Sequence, residues 1–88
     1  MRGKQTNDAD AVALAALGWT LSDDVRASRL LALTGLTPET LRAGLAEPAL
    51  LAATLRFLEG HEPDLVACAE FLGLTPLQLV ETRRTLES

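Results

Sequence analysis

Apolar positions in this chain recur at helical rather than strand spacing from Val12 to Leu86. Val12, Ala16 and Trp19 form one stripe and Leu14, Leu17 and Leu21 a second. Spacings of three and four residues mark a helix. A helix apolar over most of its circumference belongs in the middle of a small bundle. Asn7 or Asp8 is placed to cap it, with Asp8 and Asp10 near its positive N-terminal end. Residues 1–7 carry no period and are read as a flexible N-terminal tail ahead of a single helical domain, 8–88.

Ser22 reads as the next N-cap, with Asp23 and Asp24 serving the first turn. Ala27, Leu30, Leu31 and Thr34 then line one face, and Gly35 stops the helix in the position where left-handed backbone is wanted. Thr37-Pro38-Glu39 is a cap, a proline at the first helical position and an acidic second one. It predicts a short helix carrying Leu41 and Leu45. Pro48 starts a longer one, with Leu51, Leu55 and Leu58 on one face and Leu50, Thr54 and Phe57 on the next, ended by Gly60. His61-Glu62-Pro63-Asp64 opens a fifth helix with Leu65, Cys68, Ala69 and Leu72 in register, stopped by Gly73. Thr75-Pro76 starts the last, through Leu79 and Leu86. Prolines at starts and glycines at ends agree with the apolar period throughout, so the fold class is all-α: a compact bundle of five or six short helices joined by tight Gly/Thr-Pro turns.

Gly35-Leu36-Thr37-Pro38 recurs as Gly73-Leu74-Thr75-Pro76, and Leu41 and Leu79 each follow three residues after the proline. Two copies fall short of the three or more that a solenoid needs. Recurrent helix-stop chemistry is the simpler reading: glycine ends one helix, leucine plugs the core, Thr-Pro begins the next.

Composition reinforces the helices. At 88 residues there is room for one domain, and its 48% hydrophobic content is mostly leucine and alanine. These are strong helix formers, whereas aromatics are only 3%. The net charge of −4 repels phosphate backbones and anionic membranes, which makes nucleic acid a disfavoured partner. One cysteine leaves no internal disulfide, and the first apolar run is short and flanked by Asp8 and Asp10, unlike a secretory signal. A cytoplasmic location, with no membrane partner, is expected.

Ala11 to Trp19, then Leu31-Ala32-Leu33-Thr34-Gly35-Leu36, then Phe57-Leu58 with His61-Glu62-Pro63, carry a resemblance. Together, from Asp10 to Leu86, the chain resembles a family of short alphaproteobacterial helical proteins known only as a domain of unknown function. Where that family usually has Gly-Arg-Phe-Leu before the Leu-Thr-Gly, this chain has Ala27-Ser28-Arg29-Leu30. The resemblance implies a small helical protein and brings no activity, ligand or site residue.

Candidate chemistry is sparse. His61 and Cys68 could share a helical face, but a zinc site needs three or four ligands, so no metal site is assigned. Ser28, His61 and Asp64 make a triad only on paper, with no nucleophile-elbow signature. There is no glycine-rich phosphate loop, and an acyl carrier's Asp-Ser-Leu is absent. We therefore expect no catalytic residues, no cofactor and no small-molecule ligand.

Two functional readings remain. Leu36, Leu74 and Leu77 sit at or beside turns and are candidate surface for another protein or a second copy. This favours a non-enzymatic interaction module or small accessory subunit. The alternative is an atypical helix-turn-helix regulator using residues 65–86, in which Gln78 faces a base and Arg83 and Arg84 reach phosphate.

Overall fold

A computed structural model of the chain describes residues 4–88. It contains six helices and, among the described residues, no strand: α1 (Lys4–Leu21), α2 (Asp24–Thr34), α3 (Pro38–Ala43), α4 (Pro48–Glu59), α5 (Glu62–Leu72) and α6 (Pro76–Glu87). The all-α bundle expected from the sequence is the fold found.

Boundaries follow local chemistry. Thr37 and Thr75 accept hydrogen bonds from the amides of Thr40 and Gln78, whose side chains return the bond to the cap amide. Both N-termini therefore carry a reciprocal capping box. Gly35 and Gly73 adopt φ of 76° and 73°, the left-handed backbone that glycine takes without a Cβ penalty. Two boundaries differ from expectation. Asp23, not Ser22, caps α2, accepting from the Arg26 amide. Ser22 instead donates its hydroxyl to the Trp19 carbonyl at 2.7 Å and helps close α1. Helix α1 also begins upstream of Asn7 and Asp8, so neither is its cap, and of the expected tail residues 1–3 lie outside the described residues.

Helix α4 is the spine. Leu51, Ala52, Thr54, Leu55, Phe57 and Leu58 are all buried in it, and it packs on α1, α2, α5 and α6. Helix α1 has the same four kinds of neighbour, touching α2, α4, α5 and α6. Its buried face, however, is made of Ala9, Ala13, Ala16, Leu17 and Thr20, while Leu14 and Leu21 are exposed. Small residues inside let α4 and α6 approach closely, and of the second stripe only Leu17 is taken into the core. The buried hydroxyls of Thr20 and Thr54 are satisfied by the carbonyls four residues earlier, Ala16 and Leu50.

The recurrence seen at the Gly-Leu-Thr-Pro turns extends over both halves. At an interval of 38 residues, Leu21 and Glu59 end helices, Asp23 and His61 are caps, and Gly35 and Gly73 are left-handed stops. Burial recurs as well: Ala13 with Leu51, Ala16 with Thr54, Leu17 with Leu55, Thr20 with Leu58, Leu30 with Cys68, and Leu41 with Leu79. Helix α1 packs on α2 and on α5, and α4 on α5 and on α2. The two-fold correspondence between α1–α2 and α4–α5 is one of boundaries, burial and neighbours, with two copies rather than the three or more of a solenoid. The relation breaks at the ends: α3 has 6 residues, whereas its counterpart α6 has 12 and is clamped to α4.

Candidate functional site: a cationic groove between α2 and α4

Helices α2 and α4 diverge to leave an open groove of about 560 Å³, lined by Arg29, Leu33, Thr34, Ala53, Arg56, Phe57, Gly60 and His61. The local reasons are visible. On α2 the inward stripe of Leu30, Leu31 and Thr34 faces the core, which turns Leu33 outward to 72% exposure. On α4, Phe57 lies on the shoulder of the buried stripe and forms the groove floor. Leu55 and Leu58 on the same helix are fully buried and do not line the groove.

The rim carries two arginines and a histidine, each facing a carboxylate. Arg29 donates from Nη1 to Asp64 Oδ2 at 3.1 Å and lies over the Phe57 ring, its guanidinium carbon 6.0 Å from the centroid. Arg56 grips Glu87 through Nε at 2.7 Å and Nη2 at 3.1 Å. His61 caps α5 by position without a side-chain capping bond, its Nε2 4.0 Å from Asp64 Oδ2. No aspartate or glutamate lines this groove, whereas Asp8 and Glu81 line a groove between α1 and α6, and Asp10 a smaller one beside Leu14 and Leu45.

The ion pairs behind the rim also lock the bundle. Glu87 bridges Arg56 and Arg83, and Arg83 reaches Glu59 at 2.6 Å, tying α6 to α4. The Arg56 hydrogen bonds, with those of Arg83, hold the Glu87 carboxyl below the usual carboxylate range. The bond to Glu59 pushes the Arg83 guanidinium higher still.

The residues singled out from sequence are dispersed. Leu36 and Leu74 are half-buried and pack against the core. They plug it from the turns, and only Leu77, 61% exposed, remains surface. The Gln78 carbonyl accepts from the Thr75 amide at 2.8 Å as part of the α6 cap. Arg83 is engaged by two glutamates, and Arg84 is exposed. Helices α5 and α6 meet at 94°, within the range of helix-turn-helix hairpins. His61 and Asp64 are close, but Ser28 lies on the exposed face of α2 and hydrogen-bonds to neither. Cys68 is buried while His61 is exposed, so the two do not form a ligand pair.

Burial pushes the Cys68 thiol from 9.0 up to about 11, opposed by Arg26 and reinforced by Asp64. Its folded pKa is therefore above its unfolded one, so its contribution to stability is complete below pH about 9 and is lost as pH rises toward 11. At pH 8, alkylation of Cys68 by iodoacetamide is expected to run at least about 100-fold slower in the folded protein than in urea. Equal rates would place the thiol at the surface.

The model of a family described as a protein of unknown function (DUF3572) matches residues 6–88. The chain belongs to this family. No curated protein and no solved structure matches it. Among the described residues, no single helix is long and apolar enough to cross a membrane.

Sequence reasoning did not reach Arg29, Leu33, Arg56 or Phe57 as a site. One signal was available: Leu33 is a leucine off the Leu30–Leu31–Thr34 stripe, four residues after an arginine. The rest of the groove depends on α2 meeting α4, which no local pattern encodes.

Proposed function

We propose that the protein is a non-enzymatic interaction module of the bacterial cytoplasm, and that the α2–α4 groove is where it docks another protein. The observation that carries this reading is Leu33, a large apolar side chain 72% exposed beside the apolar floor of Phe57 and Ala53. Exposed apolar surface next to a concave, polar-rimmed floor is the usual form of a docking site. Val25, 67% exposed two turns earlier on α2, extends the apolar strip beyond the groove.

A photo-crosslinking residue at Ala53, on the groove, and another at Glu70, on α5 and outside its lining, test the proposal in host cells. The expected result is a discrete adduct with one protein from position 53 and none from position 70. A chain that gives no adduct at 53 but binds random-sequence duplex with a steep salt dependence would instead act as a helix-turn-helix regulator. The 94° angle between α5 and α6 supports that second reading, whereas the engagement of Arg83 by Glu59 and Glu87 weighs against it.

A further inference from the structure

We infer that the partner segment seated in the α2–α4 groove is an acidic amphipathic helix, an inference that rests on the docking reading above. Charge complementarity selects the sign. The chain has 12 acidic residues against 8 arginines and lysines and one histidine. Yet this groove gathers Arg29, Arg56 and His61 with no carboxylate among its lining residues. Arg29 and His61 face Asp64 and Arg56 faces Glu87, so what the rim offers an anionic partner is the guanidinium N–H groups these pairs leave unused.

The two arginines are held ready rather than used up. Arg29 spends Nη1 on Asp64, leaving Nε and Nη2 without a side-chain acceptor. Arg56 spends Nε and Nη2 on Glu87, leaving Nη1, and its side chain is 61% exposed. A guanidinium fixed by one carboxylate loses little further freedom on meeting a second, so the rotamer cost of binding is reduced. Asp64 and Glu87 do not line the groove, but by pairing with Arg29 and Arg56 they offset the charge of both.

A helix fits better than the other acidic occupants. The lining runs over residues 29–34 of α2 and 53–60 at the end of α4, so the groove walls are about 8–11 Å long, or two turns of a docked helix. Neither wall offers an open backbone edge for an extended strand, which leaves the helix-in-groove mode. A small organic acid would leave Leu33 and Val25 uncovered. A helix with leucines on one face and glutamates on both flanks covers them and meets both arginines.

The test titrates the ¹⁵N-labelled full chain with three 15-residue helical peptides sharing one leucine face, their flanks being all Glu, all Gln or all Lys. The Glu peptide is expected to shift amides of residues 29–34 and 53–61, and to bind about tenfold more tightly than the Lys peptide, a preference that shrinks as salt is raised. Arg56→Gln should reduce that preference without moving the thermal midpoint by more than a few degrees. Glu and Lys peptides binding equally at those residues would overturn the acidic partner and leave the docking groove standing. If no peptide shifts those residues, both readings fall. Dodecanoate below its micellar concentration binding there more tightly than the Glu peptide would replace the helix by a lipid acid. Concentration-dependent shifts at the same residues in the protein alone would replace it by a second copy.

Discussion

Leu55→Ala is expected to destabilise the protein by about 3 kcal/mol, within the range measured for buried leucine truncations. Leu55 is fully buried at the centre of α4, the helix that packs on four others. Its removal leaves a cavity walled by several elements, none of which can collapse into it alone. For 88 residues, total stability is about 4–13 kcal/mol, so this one side chain holds a large share of it. At about 4–8 °C per kcal/mol, the thermal midpoint followed by circular dichroism at 222 nm should fall by about 15 °C. Leu21→Ala, at an exposed position on α1, is the control and should change little. A loss for Leu55→Ala below about 1 kcal/mol would mean that α4 is not the spine of the bundle.

The same residue shows what the sequence made legible. Leu51, Leu55 and Leu58 lie at helical spacing between Pro48 and Gly60, and all three are buried. Helix ends were equally readable, because caps and stops are local: Thr75 and Gln78 satisfy one another's backbone within four residues, and Gly73 needs only its own lack of a Cβ. Local chemistry also explains the miss at Ser22. Ser22 and Asp23 are both good caps, and the choice went to Asp23 because Ser22 closes the preceding helix, where Arg26 also donates to the Trp19 carbonyl.

Facing was less legible. Two apolar stripes on α1 carry similar signals, and only the close approach of α4 and α6 decides that Ala13 and Ala16 go in while Leu14 and Leu21 stay out. The two-fold relation was half visible. Its turns share four identical residues, but α1 and α4 match in burial and hardly in identity, with Ala13 opposite Leu51 and Thr20 opposite Leu58. The groove was invisible because its parts are far apart in the chain. Arg29 is held from α5 by Asp64, and Arg56 from the end of α6 by Glu87. Sequence spacing of 35 and 31 residues fixes neither contact.

Leu33→Asp is expected to weaken partner binding by about 30-fold or more, as removal of a central apolar anchor does at protein interfaces. It should leave the thermal midpoint nearly unchanged, because the side chain is already 72% exposed. The two-fold relation supplies an unusually close control. Phe71 occupies the same place in the second half, two residues before its left-handed glycine, and is 71% exposed. Both are large apolar side chains carrying the same solvation penalty, so nonspecific hydrophobic adhesion predicts equal losses from Leu33→Asp and Phe71→Asp. Their surroundings differ. Leu33 shares its groove with Arg29, Arg56 and His61, whereas the positions 38 residues away from those three in sequence hold Ala67, Gly18 and Asp23. A docking site defined by the cationic groove therefore predicts loss for Leu33→Asp alone, read as the yield of the adduct formed from position 53. Loss for Phe71→Asp alone would move the binding face to α5 and α1. Equal loss for both would reduce the exposed leucine to general stickiness, and with it the case that α2 and α4 form a specific site.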